Sequence, residues 1–253
     1  MDPELEEQMK MLEEMSSEEF GIEDTALDIP EGQISEDINT EEKKLNIKLH
    51  MKKINQKEED SNVQYRFFYI DEHSVIRYRI IKFYEPNKDG NLYAVESPKG
   101  DGTFKPGARG IPRIPYNIPE LIAQKDRVIF IVNGEDKVEI LKHLGFVATT
   151  AAFSSPKKWD KGFNKYLVNG AYIVILADNK DDALYTKFLD TTLETIQEDF
   201  QNVARIDLAD YFDYLGVNDS NVKTLTDLVR IVPKEEMKKF LSNIENQLVG
   251  KEN

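Results

Sequence analysis

Residues 128–150 read Val-Ile-Phe-Ile-Val, Asn-Gly, Glu-Asp-Lys-Val-Glu-Ile-Leu-Lys-His-Leu, Gly-Phe-Val-Ala-Thr-Thr, and this stretch decides the fold class. Val128–Val132 is apolar at every position and rich in β-branched residues. Such a run fits a strand covered on both faces, the situation inside a parallel sheet. From Glu135 to Leu144 the apolar side chains Val138, Leu141 and Leu144 fall on one helical face, and Gly145 is the expected stop. Phe146–Thr150 is apolar again. A strand, a helix and a second strand in so short a span imply a parallel crossover, with helices on the faces of the sheet.

The alternation continues toward the C-terminus. A short helix is expected over Lys161–Leu167, a third buried strand over Tyr172–Leu176 ending at Asp178, a helix over Asp181–Phe200 and a fourth strand over Val203–Ile206. Helices near Ala209–Tyr214, Val222–Val229 and Lys234–Leu248 close the chain. Toward the N-terminus the period changes to two, as in half-buried strands. Lys44–Lys52 alternates through Leu45, Ile47, Leu49 and Met51. Val63–Ile70, Val75–Tyr84 and Leu92–Glu96 are further strands, separated by the turns Asp71-Glu72-His73-Ser74 and Glu85–Gly90. Gly107–Tyr116 is a connector, and Pro119 suits the first turn of a short helix. The expected organisation is an acidic tail over 1–42, a β-rich region with its connector over 43–124, a parallel α/β domain over 125–216 and C-terminal helices over 217–253. No internal repeat is visible.

The formal net charge of −14 is unevenly spread. Residues 1–42 contain 16 acids and one base, Lys10, so the tail carries −15 and the remaining residues +1. A low overall isoelectric point therefore does not argue against nucleic-acid binding by the body. The tail composition predicts disorder, with a short helix that lines up Leu5, Met9, Leu12 and Met15. It reads either as a solubilising linker or as an arm that binds a partner or mimics nucleic acid. There is no cysteine, which excludes disulfides and cysteine-ligated zinc within these 253 residues. No apolar run reaches the ~20 residues that cross a bilayer. The expectation is a soluble, cytoplasmic protein without a membrane partner.

In a parallel α/β sheet, ligands gather at the carboxyl ends of the strands. Two such ends carry acids: Asn133-Gly134-Glu135-Asp136-Lys137 and Asp178-Asn179-Lys180-Asp181-Asp182. Carboxylates there suit Mg²⁺ or Mn²⁺ and phosphoryl chemistry. They equally suit helix N-termini, where acids complement the backbone dipole. The histidines His50, His73 and His143 are scattered and read as surface or packing residues.

In order and spacing these segments resemble the TOPRIM domain of phage- and mobile-element-type primases. The chain reads Ile131-Val132-Asn133-Gly134-Glu135-Asp136-Lys137 where that family has Val-Glu-Gly-Glu-Lys-Asp after its strand. Leu144-Gly145-Phe146-Val147-Ala148-Thr149-Thr150 is similar to the family's Leu-Gly-x-Val-Ala-Thr-Thr. Lys157-Lys158-Trp159 and the strand ending Ala177-Asp178-Asn179-Lys180 follow in order, and Arg113-Ile114-Pro115-Tyr116 with Pro119-Glu120-Leu121 is similar to the lead-in. The resemblance covers roughly residues 63–200.

That resemblance implies a TOPRIM-like domain behind a small antiparallel region, a role in DNA replication, a divalent metal, and single-stranded DNA or primed template as ligand, with a helicase as one type of partner. It also exposes departures. The family's acid/base glutamate is Asn133 here, the aspartate of the same motif is Lys137, and the second acid of the Asp-x-Asp motif is Lys180. Asparagine does not exchange a proton as a carboxylate does, and lysines repel a divalent cation.

Three readings follow. In the first, the protein binds nucleic acid or nucleotide with weak or lost catalysis. In the second, it is an active nucleotidyltransferase with Glu135 and Asp178 as catalytic groups and Glu135, Asp178 and Asp181 as metal ligands. In the third, it is a non-enzymatic scaffold acting through its acidic tail. Candidate phosphate or nucleic-acid contacts are Lys137, Lys180, Arg109, Arg113, Lys157, Lys158 and Lys161, joined by Arg77 and Arg79, with Trp159 as a base stacker.

Overall fold

The structure is a computed structural model and describes residues 61–151, 158–178, 183–212, 214–219 and 221–250. The acidic tail, the Lys44–Lys52 strand, Lys157, Lys180, Asp181 and Asp182 lie outside the described residues.

The period-two segments form an antiparallel sheet of four strands in the order β1 (Val63–Ile70), β2 (Ile76–Phe83), β3 (Tyr93–Pro98) and β4 (Phe104–Pro106). The β1–β2 reversal is made by Asp71, whose carboxylate accepts the N–H groups of His73 and Val75. Strand β4 was not expected from the sequence. It has three residues and ends in proline, so it shows no alternation and suits only a sheet edge. Its role is to fold over Arg79. The Arg79 guanidinium stacks 3.9 Å above the Phe104 ring and donates twice to Glu96.

The Gly107–Tyr116 connector is anchored by the core and does not hang between two halves. The Tyr78 hydroxyl donates to the Ile114 carbonyl at 3.1 Å, and Tyr116 N–H donates to Thr150 O. Helix α1 (Ile118–Ala123) then buries Ile118 and Leu121, with proline in its first turn as expected.

The second sheet is wholly parallel, in the order β6 (Val147–Thr149), β5 (Arg127–Ile131), β7 (Gly170–Ala177), β8 (Val203–Asp207). Helix α2 (Glu135–His143) links β5 to β6, and a 3₁₀ helix (Lys161–Tyr166) leads into β7. Helix α3 (Ala183–Gln197) links β7 to β8. The chain leaves β5 toward one edge and β7 toward the other, so the topological switch point lies between these two strands. Their carboxyl ends are where a ligand crevice forms in such sheets. Gly134 makes the strand-to-helix corner with φ 131°, and a Cβ there would stand 2.6 Å from Asp136 Oδ1.

After a short 3₁₀ turn (Leu208–Tyr211), helices α4 (Leu225–Ile231) and α5 (Lys234–Val249) complete the core. Helix α5 buries Met237, Phe240, Leu241 and Ile244 in the same cluster as Val128–Val132 and Ile173–Ala177.

One tie joins the β1–β2 turn to the 3₁₀ helix before β7. Glu72 accepts from the Tyr166 hydroxyl at 2.8 Å and from the Lys165 ammonium at 3.0 Å. Its own backbone N–H, the Tyr166 hydroxyl and Lys165 hold its carboxyl down at about 2, against an ordinary 4.5. A carboxyl held low contributes stability that is complete above about 4.5 and disappears as the pH falls through about 2. Melting of Glu72→Gln across that window is expected to show a shallower acid-induced fall than the unaltered protein. The effect is modest, because the carboxylate is about a third exposed and water screens it. Parallel falls in the two proteins would remove this tie as a source of acid sensitivity.

Candidate functional site

At the switch point, β5 ends in Val132-Asn133-Gly134 and β7 ends at Asp178. Helix α2 starts between them and aims Lys137, the third residue of its first turn, across the crevice. The Lys137 ammonium is 2.6 Å from Asp178 Oδ2 and donates to the Asn133 carbonyl at 2.9 Å. Both side chains are buried, at 7% and 3% exposure. The other Asp178 oxygen accepts the Leu225 N–H at 3.1 Å, in the first turn of α4. That helix begins in a capping box. Thr224 Oγ1 accepts the Asp227 N–H at 3.2 Å, and Asp227 Oδ2 accepts the Thr224 N–H at 2.9 Å. The Asp178 N–H itself donates to the Tyr185 hydroxyl at 2.8 Å. Burial and the Asp178 charge push the Tyr185 hydroxyl well up, so it stays protonated. Asp178 is therefore enclosed by a lysine, a helix N-terminus and a tyrosine, all from this chain.

Glu135 is engaged elsewhere. It is 6% exposed and accepts from the Tyr69 hydroxyl at 2.5 Å. One turn later, Glu139 accepts from the Tyr116 hydroxyl at 2.8 Å and the Lys142 ammonium at 2.9 Å. Tyr69 stacks on Tyr78 with centroids 4.4 Å apart and meets Tyr116 edge-on at 5.2 Å. Tyr69 of the antiparallel sheet and Tyr116 of the connector thus meet α2 through its buried or half-buried acids. Burial first, then the Glu135 charge, raises the Tyr69 hydroxyl far above its usual range, so it remains a donor.

Beside Asp178, on the β8 side, lies a cavity of about 240 Å³ lined by Tyr185, Thr186, Leu189, Arg205 and Asp207. Arg205 is pinned there by Asp207 at 2.7 Å and Asp190 at 3.0 Å.

Of the residues expected to act, Glu135, Lys137 and Asp178 do converge on the switch point, but their partners differ from the expectation. Lys137 was expected to hold a phosphate. It is turned inward as the counter-charge of Asp178, and a carboxylate at 2.6 Å disfavours an anion there. Trp159 was expected to stack on a base. It is instead a core residue, 2% exposed, edge-on to Phe163 at 5.5 Å, with its indole N–H on Asn164 Oδ1. Lys161 is exposed but paired with Glu198 at 2.6 Å and lies 3.7 Å from Asp199, so its charge is already answered. Arg79 is internal, as described above, and Arg77 lies 3.6 Å from Asp71. Lys158, Arg109 and Arg113 are exposed.

Sequence reasoning missed Tyr69, Tyr185 and the Leu225 amide. The capping box Thr224-x-x-Asp227 was a readable signal for the start of α4. Nothing local signals that this start would land on Asp178.

No family model matches the chain, and no curated protein does. Among solved structures, the chain is similar to the DnaG catalytic core, with a TM-score of 0.42 and 15% identity over 73% of this chain and 70% of that one. It is also similar to the primase fragment of the bacteriophage T7 primase-helicase protein, with a TM-score of 0.33 and 15% identity over 51% of this chain and 56% of that one. At this distance neither likeness assigns an activity.

Proposed function

We propose that this chain is a primase-related protein of the TOPRIM type that binds nucleic acid and has given up metal-dependent phosphoryl transfer. The observation that carries this reading is the Lys137–Asp178 ion pair at the switch point, closed on its far side by the Leu225 N–H. A divalent ion of the kind the TOPRIM resemblance implies needs several anionic oxygens with lone pairs to spare. Here one Asp178 oxygen faces an ammonium and the other a backbone N–H, Glu135 takes the Tyr69 proton donor, and Asn133 has no charge. Among the described residues there is no group of three or more His, Asp or Glu side chains arranged to hold a metal ion. Among the described residues the donor set does not fit the ion. Lysine fills the role of counter-charge with no metal required.

Binding is supported by the nearly neutral body and by the exposed bases Arg109, Arg113 and Lys158. Among the described residues no helix is long and apolar enough to cross a membrane.

Calorimetric titration of Mn²⁺ is expected to give no saturable heat up to millimolar concentration. Binding of single-stranded DNA is expected to weaken steeply with salt as counterions are released. Saturable Mn²⁺ binding that a Glu135→Ala, Asp178→Ala double variant abolishes, together with templated primer synthesis, would establish a rebuilt active enzyme instead. Absence of any salt-dependent DNA binding would leave a scaffold.

A further inference from the structure

The two edges of the parallel sheet are finished differently. At β6 the connector closes the edge. Tyr116 N–H donates to Thr150 O, the Asn117 side chain to Ala148 O, and the Thr149 hydroxyl to Tyr116 O. All three residues of β6 are buried. At the other edge all five residues of β8, Val203–Asp207, are half-buried, and β7 is their one strand neighbour among the described residues. The Ile173 N–H bonds to the Asn202 carbonyl, which fixes the phase of the ladder. Ala204 and Ile206 therefore turn their amide groups to β7, while Val203, Arg205 and Asp207 turn theirs outward. The Val203 N–H is answered by Gln201 O. Among the described residues nothing answers the Asp207 N–H or the N–H and carbonyl of Arg205.

An open edge is ordinarily blunted by proline, lysine or a bulge. Strand β8 reads Val-Ala-Arg-Ile-Asp, and its register with β7 is unbroken. It carries one charge of each sign, two residues apart and so on one face of the sheet. Arg205 reaches Asp190 of α3 at 3.0 Å, so that face is the one beneath α3.

A second, antiparallel copy of β8 fits this edge in one register. Outward amides must meet outward amides, so Arg205 can stand opposite Arg205, Val203 or Asp207 of the other copy. The first choice sets like charges together. The second leaves each Asp207 N–H past the end of the paired strand. The third puts a two-fold axis at Ile206. Each Asp207 N–H then meets the carbonyl of the partner's Arg205, and each guanidinium lies beside the partner's Asp207. Such an arrangement is closed and does not propagate into fibres. Helix α3 carries the same kind of match. Lys187 and Glu194 are exposed, about two turns apart, on the stripe that includes Asp190. Neither has an ion-pair partner among the described residues. Two copies of α3 run antiparallel across the axis, which sets each Lys187 beside the partner's Glu194.

We propose that the β8 edge and the exposed stripe of α3 form a two-fold interface with a second copy of this chain, joining two four-stranded parallel sheets into one. A foreign strand would have to supply the same alternation of charge, which this chain supplies to itself. Arg205 and Asp207 also line the cavity beside Asp178, so each cavity gains the partner's Arg205 at its rim.

Sedimentation of the full chain over a concentration series is expected to show a monomer–dimer equilibrium. Arg205→Asp sets acid opposite acid, and Asp207→Arg sets base opposite base. Each alone is expected to weaken self-association by about 10- to 100-fold. An equal mixture of the two variants is expected to recover the dimer. In the mixture every acid faces a base across the axis, while the Arg205–Asp207 pair within each chain stays broken, so recovery reports the contact between copies. Thermal melting checks that both variants are folded. If either is not, Lys187→Glu and Glu194→Lys alter exposed positions alone and give the same test, singly and mixed. A monomer at every concentration overturns the interface. So does self-association unchanged in the single variants, or a mixture that associates no better than its components.

Discussion

Asp178→Ala is expected to destabilise the fold by about 3–5 kcal/mol, the cost of stripping a buried charge of its partner. The substitution leaves the Lys137 ammonium at 7% exposure with the Asn133 carbonyl as its remaining hydrogen-bond acceptor. It also removes the acceptor of the Leu225 N–H, so the start of α4 loses its attachment to the sheet. For a chain of this size the loss corresponds to a melting temperature lower by about 10 °C. Mg²⁺ or Mn²⁺ should not restore it. Replacing both partners with apolar residues of similar volume, as in Lys137→Met with Asp178→Leu, is expected to recover the part of the loss that comes from the unpaired ammonium, while the Leu225 N–H stays without its Asp178 acceptor. Two well-packed apolar groups carry no desolvation penalty, and exchanges of this kind are often neutral or better. Urea or thermal unfolding of the two single variants and the double variant checks this directly. Additive losses in the double variant would show that the two groups do not act as a buried pair.

Trp159→Ala is expected to cost a further about 3–5 kcal/mol in its own background, the range for removing a large aromatic from a core. The indole fills space against Phe163, and its N–H is the donor to Asn164 Oδ1 at 2.9 Å. Asn164 in turn donates to the Thr195 carbonyl and to Asp199 Oδ2, fixing the 3₁₀ helix before β7 to the end of α3. Loss of the tryptophan therefore loosens two elements at once. If Trp159 were a base stacker, its removal would lower DNA affinity and leave the melting temperature alone. The burial predicts the reverse: a large fall in unfolding free energy, and a DNA affinity per folded molecule that does not change.

Much of the architecture was legible because its signals are local. Val128–Val132 and Tyr172–Leu176 are apolar runs of strand length, and Val203–Ile206 follows a helix at the spacing of a further strand; each became a strand of the parallel sheet. The Gly145 stop and the proline in the first turn of α1 work through backbone geometry within a few residues. The alternation of strands and helices was enough to place Asn133–Lys137 and Asp178 at one end of the sheet, because a right-handed parallel crossover leaves little choice. Strand β4 escaped notice because three residues cannot display a period.

The partner of each side chain was decided only by the tertiary structure. From its type and position, Lys137 read as a phosphate ligand. In the structure its ammonium lies 2.6 Å from the buried Asp178, whose other oxygen accepts the Leu225 N–H of α4. Trp159 lies in a lysine-rich segment that reads as surface, yet its ring is interior because Phe163 and Asn164 come round the 3₁₀ helix to meet it. Tyr65, Lys82 and Tyr93 come from three different strands and lie opposite one another only through strand register. Local propensity reports what a segment is. What a polar group touches depends on which distant segment removes its water, and that is a property of packing.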